Sequence, residues 1–177
     1  PDFKVIDNHI FALGGDGCMM EGIASEAFSI AGNLKLDKLI VLYDSNKISI
    51  EGSTDITFSE DVQKRMEAFG FQTITVENGN NLEAISKAIK EAKDETSKPS
   101  FITIKTQIGY GCPAKQGKAN AHGEPLGVDN VAELRKTLNW ESNEPFFVPQ
   151  DVYEHCEQIS KNKTSKESKK ENQRYDT

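Results

Sequence analysis

An α/β fold, a parallel sheet with helices on both faces, is predicted for this 177-residue sequence by three observations. Short apolar runs alternate with helical patterns along most of the chain, which is the signature of strand and helix taken in turn. The first two runs end in Gly and in Asp-Ser-Asn, the residues of tight turns. The first two runs are separated by one helix-length segment, the spacing of a right-handed βαβ crossover between parallel strands.

The first run, residues 10–13, stops at Gly14-Gly15-Asp16-Gly17. The helical pattern behind it sets Ile23, Ala27, Ile30, Ala31 and Leu34 on one face, the face expected to meet the sheet. A second run from Leu39 to Tyr43 ends in Asp44-Ser45-Asn46, and a polar turn follows at 51–55. Ser59 is the expected N-cap of the next helix, with Glu60 and Asp61 in its first turn and Gly70 closing it in a left-handed conformation. Val62, Met66 and Phe69 lie at helical spacing within it.

Residues 71–76 read as a strand and Asn78-Gly79-Asn80 as a turn. Asn81 then caps a helix over 82–94 whose stripe is Leu82, Ile85, Ile89 and Ala92. Lys98-Pro99 breaks the chain before a β-branched strand at 101–104. Residues 108–127 form a long, polar, glycine-rich loop, and loops of that length are usually functional or disordered. A helix through Val131, Leu134 and Leu138, an apolar piece at Phe146-Phe147-Val148 and a last helix from Pro149 to about Ile159 complete the pattern. Residues 1–159 are thus assigned to one domain, expected to be incomplete at its N-terminus because a strand begins with nothing before it to cover it. Residues 160–177, rich in Lys, Ser, Glu and Asn without an apolar pattern, are expected to be a disordered linker or tail.

Composition narrows the function classes. The chain is 36% hydrophobic and 28% charged, ordinary for a soluble globular domain. No apolar run approaches the roughly 20 residues of a membrane span, and no signal-peptide layout is present, so a cytoplasmic location without membrane partners is expected. The net charge is −7, although the last 18 residues carry six basic against three acidic side chains. An acidic body argues against nonspecific nucleic-acid binding. Cys18, Cys112 and Cys156 have neither metal spacing nor an even count, which fits a reducing compartment.

Parallel strands finish at one edge of the sheet, and ligands of open α/β sheets bind there. Asp16 and Asn46 therefore become neighbours. Both are hard oxygen donors suited to Mg²⁺, with Ca²⁺ also possible, and the adjacent glycines let backbone N–H groups approach a phosphate. Two protein oxygens do not make a cage. Mg²⁺ completes near-octahedral geometry at about 2.0–2.1 Å with a carbonyl, water and phosphate oxygens, so a diphosphate carried on Mg²⁺ is the expected ligand. The long loop should fold over the same edge and bring His122 to it. His9 and His155 are read as structural, and Cys18 as packing. A dinucleotide-binding domain fits poorly, because no third glycine follows at the fingerprint spacing, although Asp44 ends the second strand.

The longer text resembles the transketolase family of thiamine-diphosphate enzymes. GDGCMMEG, IAGNLKLDKLIVLYDSNKISIEG, VENGN, IGYG and AHGEPLG carry the resemblance, which covers residues 8 to about 155 in order. It implies thiamine diphosphate and Mg²⁺ as cofactors, Asp16 and Asn46 as side-chain metal ligands, and Ile48 as a ligand through its carbonyl. It also implies that Gly15 makes the turn, Gly17 offers its N–H to the diphosphate with Asn46 beside it, and Ile50 and Ile108 pack near the cofactor. Ile48 and Ile50 also read as ordinary strand-end residues, as does Ile108. His122 matches a histidine near both cofactor diphosphate and substrate, and is the one candidate catalytic residue. Glu21 matches a subunit-interface glutamate, so a homodimer is implied. The activity implied for the full protein is transfer of a two-carbon ketol unit between sugar phosphates in the pentose phosphate pathway. The glutamate that activates the cofactor lies in another domain of such enzymes, so this chain alone is expected to be inactive. Dihydroxyacetone synthase, a deoxyxylulose-phosphate synthase-like enzyme and a noncatalytic cofactor-binding fragment or split subunit are the alternatives.

Overall fold

A computed structural model describes residues 7–175 of the chain. It divides into two compact units after Leu138, earlier than the expected boundary near residue 159.

The first unit is built around a four-stranded parallel sheet. In chain order its elements are β1 (Ile10–Gly15), α1 (Asp16–Met20), α2 (Gly22–Asn33), β2 (Leu39–Ser45), β3 (Ile48–Ser49), β4 (Gly52–Ser53), α3 (Val62–Ala68), β5 (Gln72–Val76), α4 (Leu82–Asp94), β6 (Ser100–Lys105) and α5 (Val128–Thr137). The spatial order is β1-β2-β6-β5, and every pairing is parallel. β3 and β4 form a separate antiparallel hairpin where only a polar turn is predicted.

Alternation along the strands divides the core into two layers, as a sheet buried on both faces requires. Val41, Tyr43 and Phe101 pack with Met19, Ala31, Val62, Met66 and Phe71 beneath α1, α2 and α3. Ile40, Ile102, Ile104 and Val76 pack on the other face against Ala88 and Ala92 of α4. Phe28 presents its edge to Phe71 and Phe101, with ring centroids 5.8 and 6.1 Å apart. The predicted fold class is therefore what the chain forms.

Four local expectations need correction. The segment after Gly17 is two helices, because Glu21 adopts an extended backbone between them (φ −71°, ψ 138°). The face of α2 that meets the sheet carries Phe28 and Ala31, whereas Ile23, Ile30 and Leu34 are exposed. Residues 23, 27, 30 and 34 share one stripe and residues 24, 28 and 31 another, and helical period alone does not say which faces inward. At α3 the cap is Asp61, not Ser59: its carboxylate accepts the Lys64 N–H at 3.1 Å. Asn81 caps α4 as predicted, accepting the Ala84 N–H at 3.0 Å, but Leu82 at the start of the stripe is exposed.

β1 is a sheet edge among the described residues, and Ile10, Phe11 and Leu13 on it are exposed. In the second unit Trp140 and Phe147 meet edge to face at 6.3 Å. The last helix, α6, spans Gln150–Tyr175 instead of ending near Ile159. After Pro149 the sequence has no Gly or Pro to stop a helix, and Lys, Glu and Gln propagate one without an apolar face. A Lys161–Glu157 ion pair at 2.8 Å spans one turn of it.

Candidate functional site

β1 and β2 run in register, Gly14 beside Tyr43 and Gly15 beside Asp44, so the residues just past their ends meet at one edge. Asp16 opens α1 at that edge and is only 3% exposed. Its Oδ1 accepts the Tyr43 hydroxyl at 2.6 Å, and its Oδ2 accepts the backbone N–H groups of Asn46 at 3.1 Å and Lys47 at 2.9 Å. The predicted meeting of Asp16 with residue 46 is thus formed, and through the Asn46 backbone. Tyr43 is itself buried, and that burial, followed by the hydrogen bond to Asp16, pushes its hydroxyl well above the usual range. Tyr43 is therefore a standing proton donor to the carboxylate.

The turn after β2 is shaped by local polar contacts. Asn46 Oδ1 accepts the Ile48 N–H at 3.0 Å, an Asx turn that aims the chain into the β3–β4 hairpin. Lys47 between them takes a left-handed backbone, φ +63°, and its carbonyl accepts the Thr54 N–H at 3.0 Å. Ile48 pairs with Ser53 in the hairpin, which holds its main chain next to Asn46.

Glycine geometry decides what else can approach. A β-carbon on Gly14 would lie 3.0 Å from the Met19 methyl, whereas one on Gly17 would meet nothing within 4 Å. Gly14 lets β1 pass over α1, and Gly17 leaves open space beside Asp16. From the far side Arg65 of α3 donates to the Met19 carbonyl at 2.6 Å and to Ser25 Oγ at 2.8 Å, and pairs with Glu60 at 2.9 Å. These contacts hold the short α1 turn from beneath. A cleft of about 340 Å³ opens between the ends of β2 and β6 and the start of α3, lined by Tyr43, Ser45, Lys47, Glu60, Thr103 and Lys105.

The loop after β6 is tied to the same edge. Thr106 donates its N–H to the Ser45 carbonyl at 3.2 Å and its hydroxyl to Asp44. Farther on, Lys115 gathers the loop: its ammonium donates to the carbonyls of Asn120 at 3.3 Å and Pro125 at 2.8 Å, and lies 3.4 Å from Glu124. His122 sits between those contacts, exposed, at the end of a 3-10 turn over Ala119–Ala121. The structure therefore brings Gly15, Asp16, Asn46 and Ile48 together, and no hydrogen bond among the described residues joins His122 to them. Ile108 is half-buried, Ile50 is 65% exposed in the turn between β3 and β4, and Glu21 is exposed at the break between α1 and α2.

The donor set fits a divalent cation. A carboxylate buried to this degree normally pairs with a cation, yet no Lys or Arg ion pair reaches Asp16 among the described residues. Sequence reading missed Tyr43 and Lys115 as contributors. Tyr43 reads as one more apolar strand residue until the strand register is known, and Lys115 as one more loop lysine.

The whole chain, residues 1–177, matches the family model described as the thiamine diphosphate binding domain of transketolase. The chain belongs to the transketolase family. It is 54% identical over 153 residues to the transketolase of a Nostoc species and 48% identical over 153 residues to that of Geobacillus stearothermophilus. Each of those alignments takes in 86% of this chain and 23% of the relative, so the chain spans about a quarter of the transketolases it matches. Among solved structures, Leishmania mexicana transketolase superposes with a TM-score of 0.85 at 40% identity, covering 92% of this chain and 25% of that one. Pichia stipitis transketolase in complex with sedoheptulose-7-phosphate gives 0.85 at 39% identity, over 92% and 24%.

Proposed function

We propose that this chain is the part of a transketolase that holds the diphosphate of thiamine diphosphate through Mg²⁺. The carrying observation is Asp16: a carboxylate buried at the sheet edge, without a basic partner among the described residues, facing the Asn46 turn. Asp16 and Asn46 supply side-chain oxygens to the cation and Ile48 its carbonyl, with Ca²⁺ an acceptable substitute. Gly15 and Gly17 admit the diphosphate to the backbone, and Ile50 and Ile108 flank the cofactor. Asn46 needs only one lone pair for the Ile48 N–H, so its oxygen has a second to offer.

Bound thiamine diphosphate supplies the nucleophilic carbon that accepts and releases a two-carbon ketol unit between a ketose phosphate and an aldose phosphate. This chain's residues bind and orient. His122 donates a hydrogen bond to substrate oxygens or to the diphosphate, as charge develops on them, once the loop lies over the site. The sugar phosphate named with the Pichia stipitis relative supports that substrate class. The exposed stripe Ile23, Ile30 and Leu34, with Glu21 at its head, is covered in the whole protein by a partner subunit of a homodimer. Residues 160–177 serve as the connection to the following domain. Activity requires the domains outside this chain, and the enzyme works in the cytoplasm.

Calorimetric titration of thiamine diphosphate into the intact protein, with and without Mg²⁺, tests this reading. Binding should need Mg²⁺ and be lost in Asp16→Ala. Binding that survives both removals would sink it.

A further inference from the structure

Asp16 is saturated on one side and open on the other. An ionised carboxylate offers about four lone-pair sites. Two on Oδ2 are taken by the Asn46 and Lys47 N–H groups, and one on Oδ1 by the Tyr43 hydroxyl. A single site on Oδ1 is left. The two N–H groups fix where Oδ2 lies, but they leave the carboxylate plane able to swing about it. Tyr43 is the contact that stops the swing, and it cannot itself move, being 2% exposed with its ring 5.6 Å from Phe101.

The geometry points to Tyr43 as a positioning residue for the cation: its hydroxyl turns Asp16 so that the one free Oδ1 lone pair faces the Asn46 turn. The inference rests on the cation reading of this site and adds a residue that touches neither metal nor cofactor. Two effects oppose each other when the hydroxyl is removed. Asp16 regains a lone pair on Oδ1, which a cation can use, and loses its fixed plane, which disfavours one. Partners in the outer shell of metal ligands typically contribute about ten- to hundredfold in affinity, so loss of orientation should prevail.

The test is Mg²⁺ titration by calorimetry at saturating thiamine diphosphate, on the intact protein that carries this chain, in wild type, Tyr43→Phe and Asp16→Ala forms. Phenylalanine keeps the ring and its packing, so the circular dichroism spectrum should match wild type, while the melting point without cation should fall only by the loss of one hydrogen bond to a carboxylate. Mg²⁺ affinity of Tyr43→Phe should fall about ten- to hundredfold. The Mg²⁺ concentration for half-maximal activity should rise in parallel, with kcat at saturating Mg²⁺ kept, a split that a merely structural role would not produce. 3-Fluorotyrosine at position 43, which keeps the donor, should restore affinity, and it carries the test if the phenylalanine form does not fold. Affinity within threefold of wild type in a folded Tyr43→Phe protein overturns the role of Tyr43 while Asp16→Ala still upholds the site. Absence of Mg²⁺-dependent binding in wild type overturns both.

Discussion

Gly32 of α2 lies against the main chain at the end of α3, so close that a β-carbon on it would stand 1.7 Å from the Phe69 carbonyl oxygen. The two helices beneath the site meet backbone to backbone, with no side chain between them to yield. Alanine in place of glycine favours a helix by about 1 kcal/mol. Overpacking costs about 1–3 kcal/mol and more where nothing can rotate away, so the clash outweighs the gain. Gly32→Ala should lower stability by about 2 kcal/mol or more, read as a lower urea midpoint at unchanged m-value.

Lys115 should govern the loop and leave the sheet alone. Its side chain is 12% exposed and bridges the two arms that flank His122. Hydrogen bonds to charged groups contribute about 1.5–3 kcal/mol each, and Lys115→Met removes them together. Amide exchange at Gly117, bonded to Ile108, and at His122, bonded to Ala119, should quicken at least about tenfold. Exchange in β2 and β6 should not change. Equal acceleration in the strands would mean that Lys115 acts on the whole fold.

Asp61 gives a pH-dependent contribution with a definite sign. The Lys64 N–H first, and then the Lys64 side chain, hold its carboxyl below the usual range. A depressed folded pKa means that the cap stabilises fully above the ordinary carboxylate value of about 4 and is lost as pH falls through the lower folded value. Asp61→Asn keeps a cap but not the charge. Melting curves from pH 6 to pH 2 should therefore show a shallower acid decline for Asp61→Asn, with the two proteins converging at the acid end. Parallel curves throughout would show that the capping charge does not matter.

These features differ in how plainly the sequence carries them. The Asn81 cap and the left-handed Gly70 are local chemistry, complete within a few residues, and both occur where predicted. The meeting of Asp16 with residue 46 was legible because parallel topology brings consecutive strand ends to one edge. Tyr43 was not, since its partner lies 27 residues away in sequence and is set by the register between β1 and β2. The inward face of α2 was not legible because both of its stripes are apolar. At α3, Ser59 and Asp61 have equal chemical claims to a cap, and tertiary placement of Val62 and Met66 in the core decides between them. The length of α6 escaped a reading that looked for burial, because its helix formers need none.

Lys47 carries a lesson about tolerance. It sits at φ +63° between the two residues of the proposed metal turn, and the turn uses it through its N–H to Asp16 and its carbonyl to Thr54, while its side chain is exposed. Glycine or asparagine would take that conformation with less strain, a β-branched residue would resist it, and proline would remove the N–H that Asp16 needs. The identity of residue 47 is thus free to drift among related chains so long as its backbone does not, so variation there is a poor guide to whether the neighbouring site has been kept.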